Sequence, residues 1–174
     1  MKKTIMALLC ACMFLLPGFT SNDPDLNKAA EVAEAYMYAI SKGDIETMLK
    51  LSSKEHRDAF IEGKTAEEPF FKIVMIMLQA VEYKLVSMEK YDAENAEATL
   101  SIRLPDFDAI MDDASNKIYA EYGQDITDAE MFAHILPMLP DMLKDPKYAA
   151  REEDETDLDL IKENGQWKVD ESFN

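Results

Sequence analysis

The side chains with the strongest claim to chemistry are Tyr36, Tyr83 and Trp167, because each places one polar group within an apolar pattern. Tyr36 falls on the apolar stripe of a predicted helix, and the other two fall at inward positions of predicted strands. Their hydroxyl and indole groups could orient a bound molecule or stabilise a developing negative charge. These residues are the predicted pocket candidates. Proton abstraction also needs a base, and the inward strand positions hold no Asp, Glu or His, so no catalytic residue is predicted.

The two histidines add neither a base nor a metal site to this set. His56 lies between two charged residues in a predicted helix, where we expect a solvated or helix-end residue. His134 shares one helix face with methionines, whose thioethers suit Cu(I). These methionines are Met131, Met138 and Met142. Because Pro137 and Pro140 should break the face and methionine often fills cores, the sequence predicts no metal site and no cofactor.

Hydrophobic periodicity divides the rest of the chain into helices and strands. Apolar residues recur at helical steps over 26–80, with Gly43 ending one helix and Asp44 capping the next. The period changes to two over 81–104 and returns to helical over 106–148. The chain closes with a hairpin over 153–172, turning at Asn164–Gly165. We therefore predict an α+β fold, with N-terminal helices packed on a curved antiparallel sheet of about four strands and a helical insertion between the two hairpins.

Further details of the predicted elements can be checked directly. A capping box from Ser52 to Glu55 should start a helix. A bulge at Leu85–Val86 would reverse the faces of the first strand. The acidic run 152–159 is expected to be a charged edge strand, which would resist aggregation. The predicted inward face consists of Val81, Tyr83, Leu85, Ala98, Leu100, Ile102, Leu104, Leu158, Leu160, Trp167 and Val169.

Residues 1–20 are predicted to be a signal peptide, which leaves one domain over 21–174. A short basic start precedes an apolar run over 5–19, and the sequence turns polar at residue 22. This run is shorter than the ~20 residues of a membrane span, so no span is predicted in the mature chain. We expect a periplasmic or extracellular protein. The alternative is lipidation at Cys12, within Leu9–Cys12, which would anchor the protein to the cell envelope.

The acidic surface excludes one class of partner. The net charge is −17, and loss of the two lysines of the signal peptide takes it to −19. Such a surface repels phosphate backbones, so no nucleic acid is expected to bind. The charge is equally suited to solubility and to a basic protein partner.

The helix pair around Gly43–Asp44 and the final hairpin resemble those of the cone-shaped superfamily named after nuclear transport factor two, and in particular its small exported, cystatin-like bacterial members. The matching segment runs from Ala35 to Met48, supported by 165–169. The resemblance implies a fold shared by binding domains and by isomerases or dehydratases. In the isomerases, a tyrosine at the spacing of Tyr36 stabilises an oxyanion. The spacing of their general base falls at Phe60, so the catalytic set is incomplete.

Two functional hypotheses from different classes follow. The leading hypothesis is a non-enzymatic exported domain that binds a small apolar ligand in the cone or an envelope protein. A closed core without a pocket, and an interaction protein acting through its acidic surface or the 106–148 helices, stay open beside it. The alternative is an isomerase- or dehydratase-like enzyme that uses Tyr36 in the cone.

Overall fold

The computed structural model of the chain describes residues 19–66, 68–149 and 153–170. Residues 1–18 of the predicted signal peptide, with Cys12, lie outside these ranges, as do residues 171 and 172 of the predicted C-terminal hairpin. The elements occur in the order α1 (Pro24–Lys42), α2 (Ile45–Leu51), α3 (Lys54–Ala66), α4 (Glu68–Leu78), β1 (Glu82–Lys90), β2 (Asn95–Arg103), α5 (Phe107–Tyr122), α6 (Asp128–Ile135), α7 (Leu139–Met142), a 3-10 turn (Pro146–Tyr148), β3 (Asp154–Glu163) and β4 (Gln166–Val169). This order confirms the predicted α+β class. Within these ranges, no helix has both the length and the hydropathy needed to cross a membrane.

The pair Gly43–Asp44 joins α1 to α2 as predicted. Gly43 adopts a left-handed conformation with φ 65°, and its N–H donates to the carbonyl of Ile40 at 2.9 Å. The Asp44 carboxylate accepts the N–H of Thr47 at 3.0 Å and so caps α2. One helix therefore ends and the next begins within two residues, which packs α2 against α1.

Replacing Gly43 with alanine is expected to lower the free energy of unfolding by about 1–2 kcal/mol, because the left-handed conformation is strained for a residue with a Cβ. The added Cβ would also lie 2.9 Å from Nε2 of Gln79, which would have to move. Urea denaturation monitored by circular dichroism measures the loss. Gly43→Asn should cost less, because asparagine adopts this conformation more readily. An alanine variant as stable as the asparagine variant would contradict this account.

The four strands form one open antiparallel sheet in the order β1-β2-β3-β4. The register of β1 against β2 shifts between Leu85 and Ser87, so Val86 is an extra residue in β1. This confirms the bulge anticipated at Leu85–Val86. The bulge places Met88 opposite Ala98 on the buried face.

Among the described residues, the part of the acidic run at 154–158 has a strand neighbour on one side only, which confirms its expected edge position. These residues pair with β2, whereas β4 pairs only with residues 160–163 of β3. The β2–β3 pairing spans the helical insertion and is not encoded in the local charge pattern. One cross-strand row holds Glu89, Glu97 and Asp159 on the face away from α1. Burial, followed by the negative charge of Glu97, raises the pKa of Asp159.

Two hydrophobic cores lie on different sides of the fold. The first fills the space between α1 and the sheet and includes Tyr36, Leu100, Leu160, Trp167 and Val169. The second is built from α4 and the helical insertion and includes Ile73, Ile110, Ile135 and Leu139. The insertion therefore covers the apolar side of α4, which explains why the α4 sequence is almost entirely apolar.

The second helix of the insertion, α6, begins at a capping box. The hydroxyl of Thr127 accepts the N–H of Glu130 at 3.4 Å, and the Glu130 carboxylate accepts the N–H of Thr127 at 3.0 Å. The predicted break is also present, because α6 ends at Ile135 and α7 begins at Leu139.

Candidate functional site

The predicted pocket candidates all contact the first core, but their polar groups face different partners. Tyr36 and Trp167 are buried, and Tyr83 is half-buried. The Tyr36 hydroxyl lies 3.0 Å from Nε2 of His56, whereas the indole N–H of Trp167 donates to Asp25 at 3.2 Å. Asp25 and Tyr36 are separated by about 16 Å along α1 at the helical rise of ~1.5 Å per residue. The structure therefore places these two polar groups well apart along α1.

The third candidate, Tyr83, bonds to the C-terminal end of α1. Ser41 donates its hydroxyl proton to the carbonyl of Tyr38 at 2.8 Å and also forms a hydrogen bond with the Tyr83 hydroxyl. Burial, followed by the negative charge of Glu34, raises the pKa of Tyr83. This tyrosine links β1 to α1 and is not directed toward the Tyr36 hydroxyl.

Tyr36 belongs to a buried chain of hydrogen bonds. The Ser52 hydroxyl donates to the carbonyl of Met48 at 2.9 Å and also interacts with the Tyr36 hydroxyl. The Tyr36 hydroxyl forms a second hydrogen bond with Nε2 of His56 at 3.0 Å. Burial raises the pKa of Tyr36, so its hydroxyl stays protonated at neutral pH.

His56 is the functional candidate that sequence reasoning missed. It lies in the first turn of α3, as expected of a helix-end residue, but its side chain is not fully solvated. Its imidazole is half-buried, and Nδ1 has neither accessible surface nor a hydrogen-bond partner among the described residues. Desolvation lowers the pKa of His56, although the nearby Asp170 carboxylate acts in the opposite direction. A buried imidazole with one free nitrogen is unusual, because buried polar groups are normally hydrogen-bonded.

The start of α3 explains how His56 reaches α1. Ser53, rather than Ser52, caps this helix, since its hydroxyl accepts the N–H of His56 at 3.0 Å. The N–H of Ser53 donates to the carbonyl of Val169 at 2.6 Å, which fixes the helix start against the end of β4. The only local signal for this placement is the pair of adjacent serines, and the contact partner lies more than a hundred residues away.

The centre of the inward face of the sheet is filled by packed side chains, whereas Tyr83, Leu85, Ile102 and Leu104 of the predicted face are half-buried. Five predicted inward residues are each exposed by 2% or less: Ala98, Leu100, Leu158, Leu160 and Val169. A cavity wide enough for a water molecule would leave accessible surface on such side chains. Tyr36 is itself only 1% exposed. The Tyr36–His56 pair could exchange a proton by geometry, but a substrate cannot reach the Tyr36 hydroxyl in this conformation.

A second polar cluster surrounds Asp25 at the N-terminal end of α1. Its carboxylate contacts the ammonium groups of Lys162 at 2.6 Å and Lys90 at 2.8 Å, as well as the Trp167 indole. The Lys162 ammonium also lies 4.6 Å from the centre of the Trp167 ring. The Asp25 cluster thus joins the first turn of α1 to β1, β3 and β4. These partners are 65 to 142 residues from Asp25, so sequence spacing gives no signal for the cluster.

Replacing Asp25 with asparagine is expected to lower the melting temperature at neutral pH, because Lys90 and Lys162 lose their shared carboxylate. Hydrogen bonds from Lys162 and Lys90 hold the pKa of Asp25 well below its ordinary value of 3.8. The stabilisation is therefore present above pH 4 and is lost as the pH falls toward the folded-state pKa.

Thermal melts of the wild type and Asp25→Asn between pH 7 and pH 3 test this dependence, and the difference should shrink at the acid end. Asp112→Asn, an exposed residue of α5, removes the same charge outside the cluster and should leave the melting temperature nearly unchanged. Equal effects of the two substitutions would contradict a specific role for Asp25.

The histidine and methionine pattern in the insertion does not form one helix face. The break after Ile135 interrupts it, and Met142 is buried in the second core. The His134 ring stacks on Tyr122 with 4.3 Å between centroids. Within residues 19–66, 68–149 and 153–170, no group of three or more His, Cys, Asp or Glu side chains has a metal-binding arrangement.

Comparison with known proteins adds one distant similarity. No protein-family model and no curated protein sequence matches the chain. Among solved structures, the chain is similar to that of ycdA from Bacillus subtilis, a protein described as a candidate lipoprotein, with a TM-score of 0.37 and 14% sequence identity. The similarity covers 80% of this chain and 42% of ycdA, so the chain spans less than half the length of that protein. A TM-score at this level assigns neither a family nor a function.

Proposed function

We propose that the chain is an exported, non-enzymatic domain that binds an envelope protein through the outer surface of its helical insertion. The observation that carries this proposal is the packed centre of the inward face, where Tyr36 and Leu100 are each 1% exposed. A packed centre supports binding on the outside of the molecule rather than in the cone. The signal-like N-terminus supports export, and the Gly43–Asp44 joint supports membership of the cone-shaped superfamily.

The proposed surface is an aromatic rim formed by Phe70 of α4 and by Tyr119 and Tyr122 of α5. These rings are 42%, 38% and 52% exposed. The helix α6 contacts both α4 and α5, and its Phe132 lies 5.5 Å from Phe70 between ring centroids. Exposed aromatic side chains are common centres of protein interfaces.

The charges beside the aromatic rim indicate the kind of partner. Exposed acidic side chains flank it on α5, α6 and the loop between them: Glu121, Asp125, Asp128 and Glu130. An apolar patch bordered by carboxylates is complementary to an apolar patch bordered by Lys or Arg. The proposed partner is therefore an envelope protein with a basic-edged apolar surface.

Site-specific photo-cross-linking in the cell envelope tests this proposal. A photoreactive phenylalanine analogue at Tyr122 should cross-link one discrete protein, whereas the same analogue at Tyr38 should not. Tyr38 is a matched control, because it is 53% exposed but lies on α1.

With the captured protein purified, salt and Asp125→Lys should weaken binding, and Glu31→Lys on α1 should not. Equal cross-linking from both positions, or equal loss for both charge reversals, would overturn the proposal.

Binding of a small apolar ligand in the cone is the second candidate function. This candidate and the isomerase- or dehydratase-like alternative both need the buried Tyr36 hydroxyl to become accessible. The contact that favours them is the polar Tyr36–His56 pair at 3.0 Å. Native mass spectrometry of the purified mature protein should show a bound small molecule for the ligand candidate, and an unliganded mass would count against it.

A further inference from the structure

The strand β1 is an open edge of the sheet. Within the described ranges it pairs with β2 on one side and has no strand on the other. An open edge presents backbone N–H and C=O groups to which a further strand can bond. Val86, in the middle of β1, is 46% exposed, so the edge is accessible at its centre. The strand β1 is therefore a surface to which another strand can be added.

The charges of β1 balance, although those of the whole chain do not. The strand holds two acidic and two basic residues, Glu82, Glu89, Lys84 and Lys90, whereas the chain has a net charge of −17. Residues 154–158 of β3 form a contrasting open edge with three carboxylates and no basic residue, so two copies of that edge would repel each other. Two copies of β1 can approach without such repulsion.

The bulge at Val86 places Lys84 and Glu89 on the same face of the sheet. Lys84 lies opposite Ser101 of β2, and Glu89 lies opposite Glu97. Ser101 and Glu97 are an even number of positions apart, so they point to one face. Lys84 and Glu89 are an odd number of positions apart and would point to opposite faces without the extra residue. Neither of them forms an ion pair with another described residue.

The inward side of β1 is arranged in the same way about the centre of the strand. Leu85 lies opposite Leu100, and Met88 lies opposite Ala98. Both of these β2 residues belong to the first core. Outward from the centre, each half of β1 therefore has an inward apolar residue followed by an outward charged one. The charge is positive in one half and negative in the other, so the strand is complementary to a reversed copy of itself.

We propose that β1 pairs antiparallel with β1 of a second copy of this chain, which joins two four-stranded sheets into one of eight strands. The two-fold axis passes through the bulge. Lys84 then faces the partner's Glu89, and Leu85 faces the partner's Met88. Because the contact is two-fold symmetric, each of these pairs forms twice. The aromatic rim, on α4 and α5, takes no part in this contact.

The bulge restricts β1 to this partner. A bulge interrupts the ladder that a regular strand would form along the edge. In the two-fold pair the bulges of both copies lie together at the axis, so residues 83–85 of one copy run beside residues 88–90 of the other without interruption. This register also keeps each opposed pair on one face of the joined sheet. A contact limited to one strand edge is small, so the dimer is expected to be weak and to depend on concentration.

Sedimentation equilibrium of the full mature chain over a range of concentrations tests the pairing. At physiological salt the Debye length is about 8 Å, so distant carboxylates are largely screened, and the wild type should form a reversible dimer. Lys84→Glu and Glu89→Lys should each weaken the dimer about tenfold or more, since each opposes like charges at two places. The two substitutions shift the net charge in opposite directions, so general repulsion cannot explain a loss in both.

An equimolar mixture of the two variants should restore the dimer, because each variant offers the other an opposite charge at both places. Lys144→Glu, at an exposed position of the insertion, makes the same charge change as Lys84→Glu and should leave the dimer nearly unchanged. A chain that stays monomeric at every concentration, a mixture that stays dissociated, or equal effects of the two lysine substitutions would overturn the pairing.

Disulfide cross-linking tests the register independently of charge. The double variant Lys84→Cys/Glu89→Cys should give a covalent dimer on mild oxidation, because its cysteines face each other across the axis. Within one chain, and between two copies of either single variant, the cysteines lie about 17 Å apart at ~3.4 Å per residue, which is too far for a disulfide. A single variant that cross-links as strongly as the double variant would also overturn the pairing.

Discussion

Replacing Leu100 with alanine is expected to lower the free energy of unfolding by about 2–5 kcal/mol, as for a leucine removed from a tightly packed core. Leu100 lies at the centre of the inward face, is 1% exposed and belongs to the core that surrounds Tyr36. Chemical denaturation of the wild type and the variant measures this loss, and the two proteins should have equal m-values. The loss combines the transfer free energy of the missing methyl groups with the cost of the cavity that they leave.

The control for this prediction lies directly across the sheet. Leu85 of β1 faces Leu100 in the register and is half-buried. Leu85→Ala removes the same atoms at a position with less surrounding contact, so it should cost clearly less. If Leu100→Ala costs under about 1 kcal/mol, the inward face borders open space rather than packed side chains, and the ligand candidate would replace the partner candidate.

The local pattern of the sequence was sufficient for the elements and for the faces of the strands. A period of two places every second residue on one side of a strand, and the predicted inward residues Leu158, Leu160 and Val169 are buried. The Gly43–Asp44 joint was equally predictable, because a left-handed helix end and an aspartate cap are local requirements. The bulge at Val86 could be anticipated because the apolar alternation fails there.

What the sequence did not provide were contacts between distant segments. His56 is half-buried because the end of β4 and the middle of α1 meet at the start of α3. Its neighbours in sequence are charged, so its local pattern indicates a solvated residue. The Asp25 cluster was missed for the same reason, since it depends on strand pairing across the helical insertion.

The burial of Tyr36 changes the interpretation of the candidate site. The sequence predicts Tyr36 as one of three residues whose polar groups line a pocket. In the structure its hydroxyl is one link in a chain that runs from His56 to Ser52 and the Met48 carbonyl. The network is not fully satisfied, because Nδ1 of His56 has no hydrogen-bond partner among the described residues. The Tyr36 hydroxyl is coupled to His56 at the start of α3, and it has to become accessible before it can contact a ligand or substrate.

The helical insertion is expected to unfold together with the sheet. The substitution Ile110→Ala tests this expectation, and its expected loss of stability is as large as that of Leu100→Ala. Ile110 is 0% exposed in the second core, so its truncation should cost about 2–5 kcal/mol. The second core includes Ile73 of α4, and α4 also contacts α1, which borders the first core. Destabilisation of the insertion should therefore reach the sheet.

The chain contains a single tryptophan, Trp167, and it lies in the first core. Its fluorescence reports on the sheet, whereas far-ultraviolet circular dichroism reports mainly on the helices. For one cooperative domain, the two signals should give the same transition in the wild type and should shift together in Ile110→Ala. Met111→Ala, at the half-buried neighbouring position, should produce a smaller shift of both signals.

A variant in which the helical signal moves while the Trp167 signal stays in place would make the insertion a separate folding unit. The aromatic rim could then be removed without loss of the sheet.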